Sequence, residues 1–188
     1  FNGGDRNSFT GVVTNSNTNY GIKLNTGSAS NIISNLVTNY GLSGVYLWSS
    51  DSNIFNNITI SHSKSVSSSG ALAIYYASYQ NTFSNLTIIN ASGTQGIYFY
   101  DAGSANRPYG NNFTSVSIIN ATESGIYIGN NNIEDSLFQD VNITGAGSVD
   151  VFSKGNATFI NVSYDDENVG AAGVLTRKWY YQAYVNDT

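Results

Sequence analysis

The sequence predicts an all-β fold, a parallel β-helix solenoid of about seven rungs, and three observations carry that expectation. First, the chain copies itself: "NTFSNLTIINA…GIYF" over residues 81–99 returns as "NNFTSVSIINA…GIYI" over 111–128, 30 residues on. Second, apolar anchors recur at Phe9, Ile33, Phe55, Phe83, Phe113, Phe138 and Phe159, spaced by 24, 22, 28, 30, 25 and 21. A repeat of that length calls for stacked units, each too small to bury its own apolar face. Third, the apolar residues alternate with period 2, and none of the units shows the 3.6-residue period of a helix.

Each unit reads in the same order. Two residues past the anchor stands Gly11, Asn35, Asn57, Asn85, Ser115, Asp140 or Asn161. A first strand follows, with apolar positions at Val12, Leu36, Ile58/Ile60, Leu86/Ile88, Val116/Ile118, Val141/Ile143 and Val162. After a polar link comes a second strand: "GIKL", "GVYL", "ALAI", "GIYF", "GIYI" and "SVDVF". Leucine-rich repeats share the period but need a helical or equivalent return, for which these units have no room. Strands stacked about 4.8 Å apart give a rod of roughly 30 Å for seven rungs. The anchors form an internal column, and Asn35, Asn57 and Asn85 are expected to form an amide ladder at a turn, interrupted at Ser115 and Asp140 and resumed at Asn161. Such a ladder satisfies turn backbone groups that burial would leave unpaired.

Composition narrows the function. Charged residues are 10% of the 188, aromatics 13% and the net charge is −5. That balance supplies no basic footprint for nucleic acid, and no run of 18 apolar residues spans a bilayer. The chain has no Cys, which excludes disulfides and thiolate metal sites. It starts at Phe1 and has no Met, so a piece of a longer, processed product is expected. Nine N-x-S/T sequons, at Asn57, Asn85, Asn90, Asn112, Asn120, Asn142, Asn156, Asn161 and Asn186, fit a secreted or cell-surface glycoprotein, with a periplasmic location as the variant; an Asn/Ser/Thr-rich repeat also generates sequons by chance. Asn90 and Asn120, just past their first strands, are the expected modified positions. Asn57, Asn85 and Asn161 are expected to stay bare as ladder amides.

The "N-x-F-x-N-L-x-I…G-I-Y-x" rungs over residues 7–164 resemble the right-handed parallel β-helix repeats of NosD-like and surface-layer-type bacterial and archaeal proteins. The resemblance implies a right-handed coil on which lyases, hydrolases, epimerases and adhesins are all built. NosD-like proteins are also associated with copper, but this chain has one histidine, His62, and neither Cys nor Met. Soft copper sites need thiolate, thioether or several imidazoles, so no cofactor or metal is expected. Nor is a catalytic residue assigned. Hydrolysis needs two carboxylates across one groove, whereas Asp51, Asp101 and Asp150 are two rungs apart, and the one acidic cluster, "YDDEN" at 164–168, lies past the last rung as a solvated linker.

The second strand offers the candidate binding site. With Ile22/Leu24, Val45/Leu47, Leu72/Ile74, Ile97/Phe99 and Ile126/Ile128 pointing inward, Tyr46, Trp48, Tyr75, Tyr98, Tyr100 and Tyr127 point outward, as do Lys23 and Asp150. Six rings on one sheet exceed the apolar patch of an ordinary soluble surface. The loop "YDAGSANRPYG" at 100–110 adds Asp101, Arg107 and Tyr109 as polar contacts. Flat rings with hydroxyl edges suit sugar faces. Adhesion or carbohydrate recognition is therefore the leading expectation, with a glycan or polysaccharide as partner. A stalk or filament subunit that buries the same face against a neighbouring protomer is the second, and a polysaccharide lyase or hydrolase the third. A tyrosine row that only adds cross-strand stacking accounts for the same pattern.

The coil is expected to end near Tyr164. Residues 165–173 then read as a linker, and 174–188 as a C-terminal strand that caps the open end or begins an immunoglobulin-like domain. In "VLTRKWYYQAYVNDT", Trp179, Tyr181, Ala183 and Val185 share one face.

Overall fold

The computed structural model describes residues 3–64, 69–100 and 107–181, and over these the chain is wholly strand and turn. Sixteen strands follow one another: β1 (Ser8–Thr10), β2 (Val13–Asn15), β3 (Tyr20–Asn25), β4 (Ile32–Asn39), β5 (Ser43–Trp48), β6 (Ile54–Ser61), β7 (Gly70–Tyr75) and β8 (Thr82–Ile89). Then come β9 (Gln95–Tyr100), β10 (Asn112–Ile119), β11 (Ile126–Ile128), β12 (Ser136–Thr144), β13 (Val151–Ser153), β14 (Asn156–Ser163), β15 (Glu167–Val169) and β16 (Val174–Lys178). They wind into a parallel solenoid with two sheets. One runs β1-β4-β6-β8-β10-β12-β14-β16 with β2 also on β4, and the other β3-β5-β7-β9-β11-β13-β15. From β1 to β14 the chain makes about six complete turns.

The anchors fall in one register: Phe9 pairs with Ile33, Ile33 with Phe55, and so on through Phe83, Phe113 and Phe138 to Phe159. Phe55, Phe83, Phe113 and Phe138 stack at centroid distances of 4.7, 4.9 and 4.7 Å, close to the strand spacing. Full burial of each ring contributes about 1.5–3 kcal/mol, which makes this column the main axis of the core.

Each long first strand contains a corner. Ile33 and Leu36 are both fully buried, although positions three apart on a straight strand face opposite ways. The residue between the two segments resolves the conflict by adopting a left-handed backbone: Asn35, Asn57, Asn85, Ser115, Asp140 and Asn161 have φ of 52–58°, and Gly11 has 70°. These are the positions where a short polar side chain or glycine tolerates positive φ. The same conformation recurs past the strand end at Ser16, Tyr40, His62, Asn90 and Asn120, and again at Arg6, Ser30, Ser52, Gln80, Gly110 and Asp135.

The buried amide ladder is not the one expected. Asn35, Asn57 and Asn85 are exposed corner residues: Asn57 Nδ2 donates to Asn35 Oδ1 at 2.7 Å, but Asn85 Nδ2 donates to Asn56 Oδ1 at 3.1 Å instead of to Asn57. The ladder proper is Asn7–Asn31–Asn53–Asn81–Asn111, two residues before each anchor. At every step the backbone N–H and Nδ2–H of one Asn both donate to Oδ1 of the next, at 2.9–3.1 Å. The second Nδ2 proton goes to a backbone carbonyl, of Gly4, Ser28, Ser50 or Ser78. In the next rung the position is Ser136, whose hydroxyl is buried and unpaired.

The glycine of "GIY" is explained by close approach. A Cβ on Gly96 would lie 2.5 Å from the Gly125 carbonyl and 2.7 Å from Ile118 Cγ2; on Gly125 it would lie 2.4 Å from Ile143 Cγ2. Here the second sheet closes on the third inward column of the first, and no side chain fits.

Beyond Tyr164 the solenoid continues. The segment expected as a linker contains β15, parallel to β13, and β16 lies parallel on β14 with Arg177 opposite Phe159. Leu175 packs on the core, while Trp179 and Tyr181 are exposed. Tyr180 donates to Asp140 Oδ2 at 3.1 Å and accepts from Gln139 at 2.6 Å, tying this strand end back to a corner. Ala183 and Val185 lie outside the described residues.

Candidate functional site

The outward positions of the second sheet form two columns. Lys23, Tyr46, Ala73, Tyr98, Tyr127, Phe152 and Asn168 share one register, and Asn25, Trp48, Tyr75 and Tyr100 the other. In-register side chains on parallel strands lie one above another, so the rings stack along the axis. Tyr20 meets Tyr46 at 4.5 Å, Tyr98 meets Tyr127 at 5.2 Å and Tyr127 meets Phe152 at 4.7 Å. Ala73 leaves a gap in the first column, and Tyr75 from the second leans into it, 5.0 Å from Tyr46 and 5.7 Å from Tyr98. The result is an unbroken row from Tyr20 to Phe152.

That arrangement revises the expected solvent-facing platform. Tyr46 and Tyr98 are buried, at 7% and 4% exposure; Trp48, Tyr75 and Tyr127 are partly buried; and Tyr100 is 38% exposed. Ring faces pack on one another at the stacked contacts of Tyr46 with Tyr75, Tyr98 with Tyr127 and Tyr127 with Phe152, while Tyr75 meets Tyr98 at a tilt of 53°. Burial pushes the Tyr46 phenol far above its ordinary pKa, helped by Tyr20 and Tyr75, and burial likewise raises Tyr75. Burial therefore disfavours the phenolate of both in the native chain.

The loop residues go elsewhere. Arg107 pairs with Glu134 at 3.0 Å, and Tyr109 stacks on Tyr79 at 4.8 Å, on the connecting side that precedes the Asn ladder. Asp101 lies outside the described residues. Asp150 is buried at 4% rather than outward. Its Oδ2 accepts from Asp165 N–H at 2.6 Å, and its own N–H donates to Asp166 Oδ1 at 2.7 Å, so the acidic segment folds over it. The two sequon sets do not separate either. Asn120 Nδ2 donates to Asn90 Oδ1 at 3.2 Å, a link of the same kind as those expected to keep Asn57, Asn85 and Asn161 bare.

The feature that pattern reading missed is where the row stops. Past Phe152 the register position is Asn168, which carries no ring to cover the outer face. A groove of about 700 Å³ opens there, lined by Gln95, Glu123, Ser124, Tyr127, Ser148, Val149, Phe152, Asp166, Glu167, Asn168 and Val169. Asp166 and Glu167 of "YDDEN" thus form part of a wall of this groove instead of a solvated linker. Glu167 is ion-paired to Arg177, whereas Glu123 and Asp166 have no ion-pair partner among the described residues. The sequence signal was the end of the aromatic series, "GIYI" passing to "VDVF" and then to "ENV".

Among the described residues, no cluster of three or more His, Cys, Asp or Glu side chains is placed to hold a metal ion, and no helix is long and apolar enough to cross a membrane. A family model described as "Right handed beta helix region" matches residues 1–164. No curated protein and no solved structure matches the chain.

Proposed function

The chain belongs to the right-handed β-helix family, and on that scaffold we propose that it is a carbohydrate-recognition module, with the groove at the end of the aromatic row as its binding site. The observation that carries this reading is Phe152, the last ring of the row, which stacks on Tyr127 on one side, has no ring on the other, where the Lys154 ammonium stands 5.7 Å from its centroid, and is set among Ser124, Ser148 and Asn168 in one concave site. An aromatic face with polar groups around it matches a sugar ring, apolar on its C–H face and polar at its rim. Within the row the rings are largely buried against one another, Tyr46 and Tyr98 at 7% and 4% exposure, which favours the groove over the sheet surface as the place for stacking. A secreted or cell-surface setting fits this role.

The test is a glycan array followed by titration of hits with Phe152→Ala and Trp48→Ala. Phe152→Ala abolishes binding and Trp48→Ala leaves it intact if the groove is the site. Equal loss in both would return the site to the sheet surface, and an array without hits would sink carbohydrate recognition. A second reading, a stalk stiffened by its ring row, is favoured by the burial of Tyr46 and Tyr98 in mutual stacking. It predicts no glycan hits and concentration-dependent assembly by light scattering.

A further inference from the structure

The groove's charge narrows its ligand. We infer that it takes an amino sugar chain, carrying protonated amines, and turns away uronic acid polymers; this rests on the carbohydrate reading above. Its lining includes Glu123, Asp166 and Glu167 and no Lys or Arg. The Arg177 partner neutralises Glu167, but Glu123 and Asp166 have no ion-pair partner among the described residues, and Asp150 is held at the same corner, its N–H donating to Asp166 Oδ1 and its Oδ2 accepting from the Asp165 N–H. Besides Arg177, a second cation stands close by: the Lys154 ammonium lies over the Phe152 ring, 5.7 Å from its centroid, although Lys154 does not line the groove.

A second observation, independent of the acids, points to a ligand rich in donors. Gln95 lines the groove at 7% exposure, and its Oε1 is buried without a hydrogen-bond partner. A buried amide carbonyl left unpaired costs free energy that a ligand N–H or O–H would recover. Carboxylates and an orphan carbonyl are acceptors, and together they match hydroxyls and ammonium groups. A polyuronate would instead place its own carboxylates against Glu123 and Asp166. That like-charge contact is unfavourable, and no cation in the lining offsets it.

The experiment titrates the protein with four probes: a glucosamine oligomer, its N-acetylated counterpart, an oligogalacturonate of equal length, and oligolysine. Each is run at low and high salt. The glucosamine oligomer is expected to bind most tightly, and its affinity to fall about threefold to tenfold with salt, as charge pairs near the surface are screened. Glu123→Gln with Asp166→Asn keeps the shape and the acceptor for Asp150 N–H. That double variant should remove the preference for the free amine, so that the two glucosamine oligomers bind alike. Equal, salt-insensitive binding of both glucosamine oligomers, untouched by the double variant, would overturn the charge selection and leave the carbohydrate reading standing. Tighter binding of oligogalacturonate would overturn it as well. Binding of oligolysine alone would make the groove a site for basic peptides, and failure of every probe would overturn the amino-sugar assignment, with the glycan array deciding the carbohydrate reading.

Discussion

Asn53→Ala tests which column of asparagines holds the coil together. Asn53 is fully buried. Its Oδ1 accepts from Asn31 N–H at 2.9 Å and Asn31 Nδ2–H at 3.0 Å, and its Nδ2 donates to Ser28 O and Asn81 Oδ1, both at 3.0 Å. Truncation leaves the Asn31 backbone N–H without an acceptor and strips one donor from the Ser28 carbonyl, at sites closed to water. Each buried group so orphaned costs about 1–3 kcal/mol, so the substitution is expected to destabilise by about 3–5 kcal/mol. Asn57 is the control: exposed, at φ 58°, with a side-chain bond of 2.7 Å to Asn35. Asn57→Gly removes that one bond and relieves the left-handed strain, so stability should stay within about 0.5 kcal/mol of the parent. Urea unfolding, followed by circular dichroism and tyrosine fluorescence, reads both, with an unchanged m-value as the condition for comparison. A cost below about 1 kcal/mol for Asn53→Ala, or an equal cost for Asn57→Gly, would refute the ladder assignment.

Three further outcomes are expected. Gly125→Ala places a Cβ 2.4 Å from Ile143 Cγ2 and 2.9 Å from the Asp150 carbonyl, so it should cost about 1–3 kcal/mol through forced shifts; an unchanged urea midpoint would show that the sheets need not approach so closely. Tyr46 and Tyr75 titrate above their ordinary range because burial disfavours the phenolate. The unfolded chain releases those protons near pH 10 while the native chain holds them, so stability is fully present below about pH 10 and falls as pH rises beyond it; phenolate absorbance rising for all tyrosines together near pH 10 in the folded protein would contradict the burial. Deleting 174–188 uncovers Phe159 and Val162, against which Leu175, Arg177 and Trp179 sit, and should lower Tm by about 4 °C or more; an unchanged Tm would mean that β16 contributes no cap.

The coil was legible because its core is written twice over. The anchor column and the apolar pairs of the second strand recur at fixed offsets, and each falls in register with its copy. What pattern reading could not do was choose between two Asn columns. Asn31 and Asn35 flank the same anchor at equal distance, as do Asn53 and Asn57, and Asn81 and Asn85. Composition treats them alike. The left-handed corner decides: the second residue after the anchor must turn the chain to bring Leu36 inward, which exposes Asn35 and leaves the inner turn to Asn31. The acidic segment escaped for a related reason. A polar run without an anchor reads as linker, yet backbone pairing needs no apolar signal, and Glu167–Val169 adds to the sheet through main-chain bonds alone.

The aromatic row shows what alternation does and does not predict. Period 2 states which way a ring points from the sheet, and Tyr46, Trp48, Tyr75, Tyr98, Tyr100 and Tyr127 do leave it on the outer side. It is silent on the ring plane. In an in-register parallel sheet, identical side chains repeat every 4.8 Å or so, close enough for rings to stack face to face, and a row therefore consumes its own faces. Only where the row ends does a face lack a ring partner. Asn168 follows Phe152 in register and is that end. Asn168→Tyr would extend the row by one ring over Phe152, adding a cross-strand aromatic pair that contributes about 0.2–1 kcal/mol. Stability should hold or rise slightly, while sugar binding in the groove is lost because the platform is covered. Binding that survives Asn168→Tyr in a folded protein would show that the ligand does not stack on Phe152, and the groove would then have to hold it by its polar walls alone.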